Sequence, residues 1–507
     1  MYCSMRSLPR RNRVLLSGIR TAAALMTFSV LAACGGGGGS PAPTPTPTPA
    51  PTPTPAPTPT PTNQPPTVSL GTDTAIELPT DSIDLTATVA DPESQPVTYA
   101  WTAEPAAGVT FTDAVAKDTK VQFTTTGTYT LKLTASDGSL TGEDSLQVTV
   151  NPAVYPAADL SETDPAHGWT LATPADLGMD EAKLAAAKDY ALTGGGSGLI
   201  SRHGRLVYQW GDIDIRVGLK STTKSIGGMA LGLALDDGKV TLGEKAQTYL
   251  PTFGTPPAND PAMLSQITLL QLATHTSGFE KTGDYGTLQD PPGTVWSYSD
   301  GALNWLADVL TNVYNQDMKD LLQTRVWSVL NVTSDDLVWR DNVQHSDVNA
   351  SGIKQREFSS GITANPNAMA RVGLLFLRKG VWSNNQRVLS ESFVQTVQTP
   401  RAEIAGATIK EPGRFPGATS NYGVLWWTNA TGQLANVPTD AYWGWGLGDS
   451  LIVVIPSLDL VIARVGSNPD SPTEPHWRSK PDGTSEWDGN YTVLDPFLTP
   501  ISQSVQK

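Results

Sequence analysis

Hydrophobic and polar residues follow different periods in the two main parts of this chain. Between residues 67 and 152, apolar residues alternate with Thr and other polar residues in short runs, which predicts strands rather than helices. Runs spaced in this way over about 85 residues predict an all-β sandwich. The predicted strands cover residues 83–89, 97–102, 120–123, 129–135 and 145–150.

Residues 157–507 alternate between strand and helix patterns, which predicts an α/β domain. Residues 225–235 are apolar nearly all round, as is typical of a buried central helix. An amphipathic helix is predicted around residues 303–313, and another begins at Asn365-Pro366 and ends at Gly380. Strands near both ends predict an antiparallel sheet flanked by helices, with an inserted helical region. These strands cover residues 198–202, 205–210, 422–427, 450–455 and 458–464.

The first 66 residues have the composition of a targeting segment and a linker. Five arginines precede a short apolar stretch at residues 21–33, which is too short to span a membrane. This pattern predicts a signal peptide over residues 1–33. Residues 34–66 are rich in Gly and then in Pro-Thr repeats, which favour an extended polyproline II stalk.

The apolar stretch ends in Leu31-Ala32-Ala33-Cys34-Gly35, which resembles a bacterial lipobox. This resemblance implies cleavage before Cys34 and lipidation of its thiol. We therefore expect a protein anchored by lipid in the bacterial cell envelope, at the outer membrane or the cell surface. An ordinary secretory signal with an incidental cysteine is the alternative.

Charge and composition exclude several classes of function. The formal net charge is −15, and loss of the signal peptide would leave 29 basic residues against 49 acidic ones, a net charge of −20. A protein this acidic is not expected to bind nucleic acid. The histidines and cysteines show no metal-ligand spacing, so no metal and no other cofactor is predicted.

The candidate chemistry begins at Ser221-Thr222-Thr223-Lys224, immediately before the apolar helix. Residues three apart on a helix share a face, so the Ser221 hydroxyl and the Lys224 amine are predicted to be close. A serine hydroxyl needs a neighbouring base to become a nucleophile. Burial against the apolar helix is expected to lower the pKa of Lys224 so that it can be this base.

A second candidate is Tyr298, which follows the turn formed by Pro292-Gly293 and precedes the helix at 303–313. A tyrosine beside a lysine ammonium loses its phenolic proton more easily and can act as a base. We therefore expect Tyr298 and Lys224 to form a base pair next to Ser221.

Three motifs occur in a fixed order: Ser-x-x-Lys at 221–224, Leu-x-x-His-Thr-Ser-Gly at 272–278 and Pro-Gly-x-x-x-x-Tyr-Ser at 292–299. Together they resemble the serine β-lactamase/penicillin-binding superfamily, and within it the class C β-lactamase-related esterases and amidases such as 6-aminohexanoate-dimer hydrolases. The resemblance implies that Ser221 is acylated, that Lys224 and Tyr298 move its proton, and that His275 is structural. A catalytic His275 is the alternative.

The third motif of this superfamily, Lys-Thr-Gly or His-x-Gly, is expected late in the chain. Counting back from the last strands places it at Gly444-Trp445-Gly446, so that Gly444 replaces the cation. Lys281-Thr282-Gly283 matches literally but comes too early and in a loop. With Gly444 in place of the cation, the resemblance implies that the backbone N–H groups of Leu447 and Ser221 form an oxyanion hole.

Asp300 stands where the superfamily has Asn, and it adds negative charge where a substrate amide would bind. Together with Gly444, it argues against an antibiotic-hydrolysing β-lactamase. Asp300, Trp445 and Gly446 are predicted to contact the substrate. Five tryptophans near the motifs are expected to form either core or an apolar wall of the cleft; they are Trp296, Trp426, Trp427, Trp443 and Trp445.

The predicted sandwich contains Asp91-Pro92-Glu93, Tyr99-x-Trp101 and Asp137-Gly138, which resemble PKD/immunoglobulin-like modules of bacterial surface proteins. This implies an immunoglobulin-like fold that serves as a spacer or contacts the cell surface. Asp91, Glu93 and Asp137 could hold Ca²⁺, although turn formation explains these acids equally well.

The sequence thus predicts a multidomain protein whose second domain is a serine hydrolase. It would form an acyl-enzyme on Ser221 and act, without a cofactor, on a small-molecule ester or amide. The alternatives are a D-alanyl-D-alanine carboxypeptidase or β-lactamase and, in another class, a surface-binding protein with an inactive hydrolase domain.

Overall fold

A computed structural model describes residues 62–78, 80–158, 166–255, 257–467, 477 and 491–506. The predicted signal peptide, Cys34 and nearly all of the predicted stalk lie outside these residues. Within the described part of the chain, no helix has both the length and the apolar composition needed to cross a membrane.

The N-terminal β domain packs two sheets around a core that includes Trp101, Tyr129 and Leu131. The sheet orders are β2-β9-β8-β5 and β3-β7-β6, and β1 pairs with β4. The strands are β1 Thr67–Ser69, β2 Thr74–Glu77, β3 Ser82–Leu85, β4 Thr88–Ala90, β5 Thr98–Glu104, β6 Val109–Phe111, β7 Thr119–Phe123, β8 Gly127–Ser136 and β9 Thr141–Asn151. The single strand predicted at 83–89 is wrong, because the chain passes from β3 in one sheet to β4, which pairs with β1.

The α/β domain is built on a seven-stranded sheet of order β10-β12-β11-β23-β22-β21-β20. Its strands are β10 Thr170–Leu171, β11 Ser197–Arg202, β12 Arg205–Trp210, β20 Trp427–Thr428, β21 Tyr442–Trp445, β22 Leu451–Ile455 and β23 Leu460–Val465. Shorter strands outside it are β13 Val217–Gly218, β14 Val295–Trp296, β15 Leu337–Trp339, β16 Ile362–Ala364, β17 Val381–Trp382, β18 Gln386–Arg387 and β19 Thr408–Ile409. All neighbours in the large sheet are antiparallel except β10 and β12. The early hairpin is joined to the last strand by pairing of β11 with β23, as the sequence predicted.

Helices cover both faces of this sheet. They are α1 Glu181–Thr193, α2 Thr222–Gly227, α3 Met229–Asp236, α4 Ala246–Tyr249, α5 Pro261–Leu264, α6 Leu269–Ala273, α7 Asp300–Tyr314, α8 Met318–Leu322, α9 Pro366–Leu377, α10 Glu391–Gln398, α11 Ala418–Asn421 and α12 Asp495–Ser504. Single turns of 3₁₀ helix lie at Ala175–Leu177, Ser383–Asn385, Ala402–Ile404, Pro456–Leu458 and Tyr491–Val493, and a π turn at Gln323–Trp327 follows α8.

Strand alternation sends neighbouring side chains of the sheet into two separate cores. On β22, Ile452 and Val454 pack with residues of α2, α3, α7 and α9. Leu451, Val453 and Ile455 on the same strand pack with α1 and α12 on the opposite face. The sheet is therefore the middle of three layers, and its face toward α2 is the one that meets Ser221.

Two predicted elements differ from those observed. The long helix at 225–235 is two helices, α2 and α3, with Gly228 between them, where a Cβ would lie 2.7 Å from Leu425 Cδ1. The strand predicted at 422–427 is limited to β20, because α11 ends at Asn421 and Leu425 turns the chain with a φ of 65°.

Candidate active site

Ser221 lies at the start of α2, where two other segments fix its position. The Ser450 hydroxyl donates to the Leu219 carbonyl at 2.6 Å. The Thr222 hydroxyl lies 2.9 Å from the Ser450 hydroxyl and donates to the Ser450 carbonyl. The Leu219 N–H donates to the carbonyl of Ile362 at 2.8 Å. The turn that carries Ser221 is thus held between β16 and the segment that joins β21 to β22.

Lys224 lies one turn after Ser221, as the Ser-x-x-Lys spacing predicted, and its side chain is only 2% exposed. Its Nζ is 3.1 Å from Ser221 Oγ, 2.6 Å from Asp300 Oδ1 and 2.7 Å from the Ser359 carbonyl oxygen. A lysine ammonium has three N–H donors. The Asp300 carboxylate and the Ser359 carbonyl accept two of these donors, and Ser221 Oγ and the Tyr298 hydroxyl lie beside the same nitrogen.

The loop between α6 and α7 places Tyr298 beside Lys224. Gly293, with a φ of 82°, turns this loop, and the Ser297 N–H donates to the His275 carbonyl at 2.9 Å. Lys224 Nζ lies 5.0 Å from the centroid of the Tyr298 ring, and the Tyr298 hydroxyl interacts with the side chains of Ser221 and Lys224. The structure thus brings together Ser221, Lys224 and Tyr298.

The ionisation of this group differs from what the sequence predicted. Burial by itself lowers the pKa of Lys224, but the Asp300 carboxylate and Tyr298 outweigh it and hold the pKa above its usual value. Burial raises the pKa of Tyr298, and although Lys224 opposes this, the neighbouring Asp300 adds to it. The expected lowering of the Lys224 pKa is wrong because Asp300 and Tyr298 outweigh burial. The expected easier loss of the Tyr298 proton is wrong because burial, to which Asp300 adds, outweighs the effect of Lys224.

His275 supports the Tyr298 loop from behind and is itself buried. Its Nδ1 accepts the Ser299 N–H at 3.1 Å, and its Nε2 lies 3.1 Å from the Tyr422 hydroxyl. Burial and then the charge of Lys224 lower the pKa of His275 well below its usual value. A neutral ring that accepts at Nδ1 carries its proton on Nε2 and donates it to Tyr422. This arrangement agrees with the structural role predicted for His275.

Aromatic rings pack against the ring of Tyr298. Phe415 stacks on it with a centroid distance of 5.4 Å, Trp427 lies parallel at 6.3 Å, and the His275 ring is 4.3 Å away. All five tryptophans near the motifs are buried, with exposures of 0–3%. They form core and not an open apolar wall, so the second of the two expectations for them is wrong.

Trp445 was predicted to contact the substrate, and the structure places it elsewhere. Its side chain is 2% exposed and belongs to the core shared with α1 and α12. Because side chains alternate along a strand, Trp443 and Trp445 point away from α2 while Gly444 and Gly446 point toward it. A Cβ on Gly444 would lie 2.7 Å from Ser225 Oγ. The prediction for Trp445 is therefore not supported.

Gly446 allows β21 to approach the turn of Ser221. A Cβ at Gly446 would lie 2.0 Å from the Leu219 carbonyl oxygen and 3.0 Å from the Thr222 nitrogen. The following residue, the half-buried Leu447, begins the turn that leads to β22. The close approach brings the backbone around Leu447 next to that of Ser221, so Gly446 contributes space rather than a contacting side chain.

Two parts of the site have no recognisable signal in the sequence. The Ser359 carbonyl has no residue-type signature, and it is oriented because the Asn304 amide oxygen accepts the N–H groups of Phe358 and Ser359 at 2.9 and 3.2 Å. Lys281, which the sequence placed in a loop outside the motif, accepts the Asp300 N–H at 3.2 Å through its carbonyl. Asp300 itself contacts Lys224, where the sequence had placed a substrate amide.

Two of the three acids proposed as Ca²⁺ ligands in the β domain, Asp91 and Asp137, make turn contacts, and the Glu93 carboxylate accepts the N–H of Gln64. Asp91 Oδ1 accepts the N–H groups of Glu93 and Gln95 at 3.0 and 2.8 Å. Asp137 Oδ1 accepts those of Ser139 and Leu140 at 2.6 and 2.7 Å. Among the residues that the structure describes, no group of three or more His, Cys, Asp or Glu side chains is arranged to hold a metal ion.

The fold and the Ser221 site agree with the match of this chain to known families. The Beta-lactamase family matches residues 182–478, more than half of the chain, and the chain belongs to this family. The K319L-like PKD domain matches residues 71–150. A PKD-like β domain thus precedes a domain of β-lactamase fold, which confirms the predicted resemblance and fold class.

Individual relatives are distant. The 6-aminohexanoate-dimer hydrolase of Paenarthrobacter ureafaciens is 23% identical over 291 residues, which cover 52% of this chain and 69% of the relative. A predicted beta-lactamase from Bacteroides dorei DSM 17855 has 18% identity and a TM-score of 0.49, with 64% of this chain and 99% of that chain covered. A predicted 6-aminohexanoate-dimer hydrolase from Bacillus anthracis has 17% identity and a TM-score of 0.44, with 64% of this chain and 87% of that chain covered.

Proposed function

We propose that this protein is a serine hydrolase that cleaves a small ester or amide through an acyl-enzyme on Ser221. The observation that carries this proposal is the contact of the Ser221 hydroxyl with a buried Lys224, 3.1 Å away, and with Tyr298. A hydroxyl becomes an effective nucleophile when a positioned group accepts its proton. Burial of a charged lysine has a desolvation cost, and a role in catalysis explains why this lysine lies beside a serine.

In the acylation step, Ser221 Oγ forms a bond to the substrate carbonyl carbon, and its proton passes to the Lys224/Tyr298 pair. Collapse of the tetrahedral intermediate breaks the bond to the leaving group, which takes up that proton. Water then attacks the ester on Ser221 in the same way and releases the acid. Because the pKa values of both groups are raised, the pair can accept the Ser221 proton only after it has lost one of its own.

The backbone N–H groups of Ser221 and Leu447 would stabilise the oxyanion in this scheme. The close packing of Gly446 against Leu219 and Thr222 supports this assignment, since it brings the two segments together. Donors fixed in advance stabilise developing charge without a cost of reorganisation. Substrate recognition would then depend on backbone donors more than on charged side chains.

We infer that uncharged esters are the preferred substrates. Position 444 has no cation to bind a carboxylate, and Asp300 places a negative charge in contact with Lys224. An amide is the second candidate, because the curated relative is a 6-aminohexanoate-dimer hydrolase. Carboxypeptidase or β-lactamase activity is less favoured, since substrates of both kinds carry a carboxylate.

Intact mass analysis after treatment with a fluorophosphonate tests the nucleophile. We expect one adduct on the wild-type protein, and none on Ser221→Ala, which should also lose turnover. Ser334→Ala is the matched control, because Ser334 is exposed and engages Arg216 only through its carbonyl. Turnover by folded Ser221→Ala at the wild-type rate would overturn the proposal. Absence of both labelling and turnover in the folded wild-type protein would favour the inactive surface-binding alternative.

Parallel kinetics on an aryl butyrate and a chromogenic cephalosporin test the substrate class. We expect measurable ester hydrolysis and little or no hydrolysis of the cephalosporin, because the lactam carboxylate finds no cation at position 444. A higher kcat/KM for the cephalosporin would contradict the inferred preference and support the β-lactamase alternative.

We also propose that the protein is a lipoprotein of the bacterial cell envelope, with Cys34 as the anchor. Residues 34–66 would act as a stalk, and the PKD-like domain as a spacer or a contact with the cell surface. The lipobox-like sequence before Cys34 and the Pro-Thr repeats after it support this arrangement.

A further inference from the structure

Asp300 is the carboxylate that contacts the catalytic lysine. Its Oδ1 is 2.6 Å from Lys224 Nζ, and the two side chains are 28% and 2% exposed. Asp300 is the first residue of α7, and the Ser299 hydroxyl caps this helix by accepting the Ala302 N–H at 3.0 Å. A carboxylate is favoured in the first turn of a helix, where backbone N–H groups point toward it. The start of α7 therefore fixes the Asp300 carboxyl group beside Lys224.

We propose that Asp300 is a positioning residue that keeps Lys224 as an ammonium and so determines the pH above which Ser221 becomes nucleophilic. The inference rests on the proposed hydrolase function and adds to it. It assigns Asp300 to the ionisation of the site instead of to contact with the substrate. The geometry that carries it is the buried ion pair of Lys224 Nζ with Asp300 Oδ1 at 2.6 Å, next to Ser221 Oγ at 3.1 Å.

The other charged and titratable groups around Lys224 do not replace Asp300 in this role. His275 is neutral, because burial and the nearby ammonium lower its pKa. Tyr422 is also held neutral, since burial raises its pKa well above the usual value. Lys281, on the loop before Tyr298, is positive and acts on the pair in the opposite direction to Asp300.

The remaining neighbours of Lys224 come from the segment of Ser359 and from β21. Glu357 lies close to Ser359, but it is paired with Arg340 at 2.6 Å, so its charge is compensated. From β21, Gly444 faces α2 and carries no charge. Among the described residues packed around Lys224, Asp300 thus supplies the negative charge that is in direct contact with it.

The direction of the effect follows from electrostatics. A negative charge stabilises the Lys224 ammonium and destabilises the Tyr298 phenolate. It therefore raises the pKa of both groups. Whichever of the two accepts the Ser221 proton, its base form appears at higher pH when Asp300 is ionised. Removal of this charge must therefore move the acid side of the pH profile to lower pH.

The test measures kcat/KM for an aryl butyrate against pH in wild type and four variants, with thermal unfolding recorded for each. Asp300→Asn keeps the shape and the acceptor but removes the charge, and Asp300→Ser is a second neutral variant. Asp300→Glu keeps the charge. Asp189→Asn is the control for loss of one acid, because Asp189 lies on α1 and is 75% exposed.

For the two neutral variants we expect the acid limb to move to lower pH by about one unit or more, as one adjacent charge shifts a pKa by about that amount. The acid limbs of the pH profiles of Asp300→Glu and Asp189→Asn should stay within a few tenths of a pH unit of the wild-type limb. A rate loss with an unmoved limb in a folded neutral variant would show a packing role and overturn the proposal.

The two proposals can fail separately. If Ser221 is labelled and hydrolysis depends on it, an unmoved limb removes the role of Asp300 and leaves the hydrolase function standing. If no hydrolysis depends on Ser221, both are overturned. A limb that moves to higher pH in Asp300→Asn also overturns the role of Asp300, because it contradicts the sign of the interaction.

Discussion

Gly444 on β21 faces Ser225 on α2 so closely that a Cβ on Gly444 would lie 2.7 Å from the Ser225 hydroxyl oxygen. That hydroxyl donates to the Leu425 carbonyl at 2.8 Å, so it is not free to turn away without losing its acceptor. A lysine or histidine at position 444 does not fit this packing. The absence of a cation at position 444 and the position of Ser225 thus both belong to the close packing of β21 against α2.

Replacement of Gly444 by Ala should destabilise the protein. A methyl group forced into a packed core costs about 1–3 kcal/mol of unfolding free energy. Urea unfolding of Gly444→Ala measures this, and Gly243→Ala is the matched control, because no atom lies within 4 Å of a Cβ built there. Equal stability of the two variants would mean that α2 and β21 are not packed as closely as described.

Lys224 and Tyr298 should act as one unit. We expect Lys224→Met and Tyr298→Phe each to lower kcat by about 10²–10⁴-fold, the usual contribution of a positioned acid or base. The double variant should lose little more than the worse single variant, because groups that share one proton transfer are not additive. Initial rates on an aryl butyrate measure this, with circular dichroism to verify folding. Losses that multiply would show two independent roles.

Asp459 should make stability depend on pH. It pairs with Arg378 at 2.7 Å and with His203 at 2.8 Å. Burial raises the pKa of Asp459, but His203 and Arg378 outweigh it and hold the pKa below its usual value. A lowered pKa in the folded state stabilises the fold above the unfolded-state pKa, and this stabilisation is lost as the pH falls through the folded-state pKa.

We therefore expect Asp459→Asn to lower the unfolding free energy by about 3–5 kcal/mol near neutral pH, the usual cost of breaking a buried ion pair. The difference from the wild type should shrink as the pH is lowered and the wild-type carboxyl becomes protonated. Chemical unfolding at several pH values measures it, with the exposed Asp335→Asn as control. A difference that stays constant down to acid pH would contradict this origin.

Cys34→Ser should move the protein from the membrane fraction to the soluble fraction, because the acylated thiol would be lost. Phase separation in detergent and mass analysis of the mature N-terminus measure this. Cys3→Ser is the matched control, since Cys3 lies within the predicted signal peptide. Wild-type protein that partitions into the aqueous phase would contradict the predicted lipid anchor.

Much of the fold could be predicted because its signals are local. Alternation gave the strand at Gly127–Ser136 and the hairpin of Ser197–Arg202 with Arg205–Trp210 to within about two residues. The cap at Asn365, which accepts the Ala368 N–H at 2.8 Å, was visible in Asn365-Pro366. Each of these depends on residues within one turn or one strand of each other.

The break at Gly228 and the short strand at Trp427–Thr428 could not be predicted in this way. Both result from packing against Leu425 and from its left-handed backbone, which depend on contacts between segments that are far apart in sequence. Likewise, the sequence showed that five tryptophans lie near the motifs. That Trp445 faces the core of α1 and α12 depends on the position of β21 in the sheet.

The sequence by itself determined the family and brought Ser221 and Lys224 together, since residues three positions apart on one helix are neighbours whatever surrounds them. The tertiary structure decided the ionisation of the site. It brings Asp300, 76 residues from Lys224, and the Ser359 carbonyl, 135 residues away, into hydrogen bonds with the buried Nζ of Lys224. The sign of a pKa shift is the balance of burial and neighbouring charge, and both are properties of the folded arrangement.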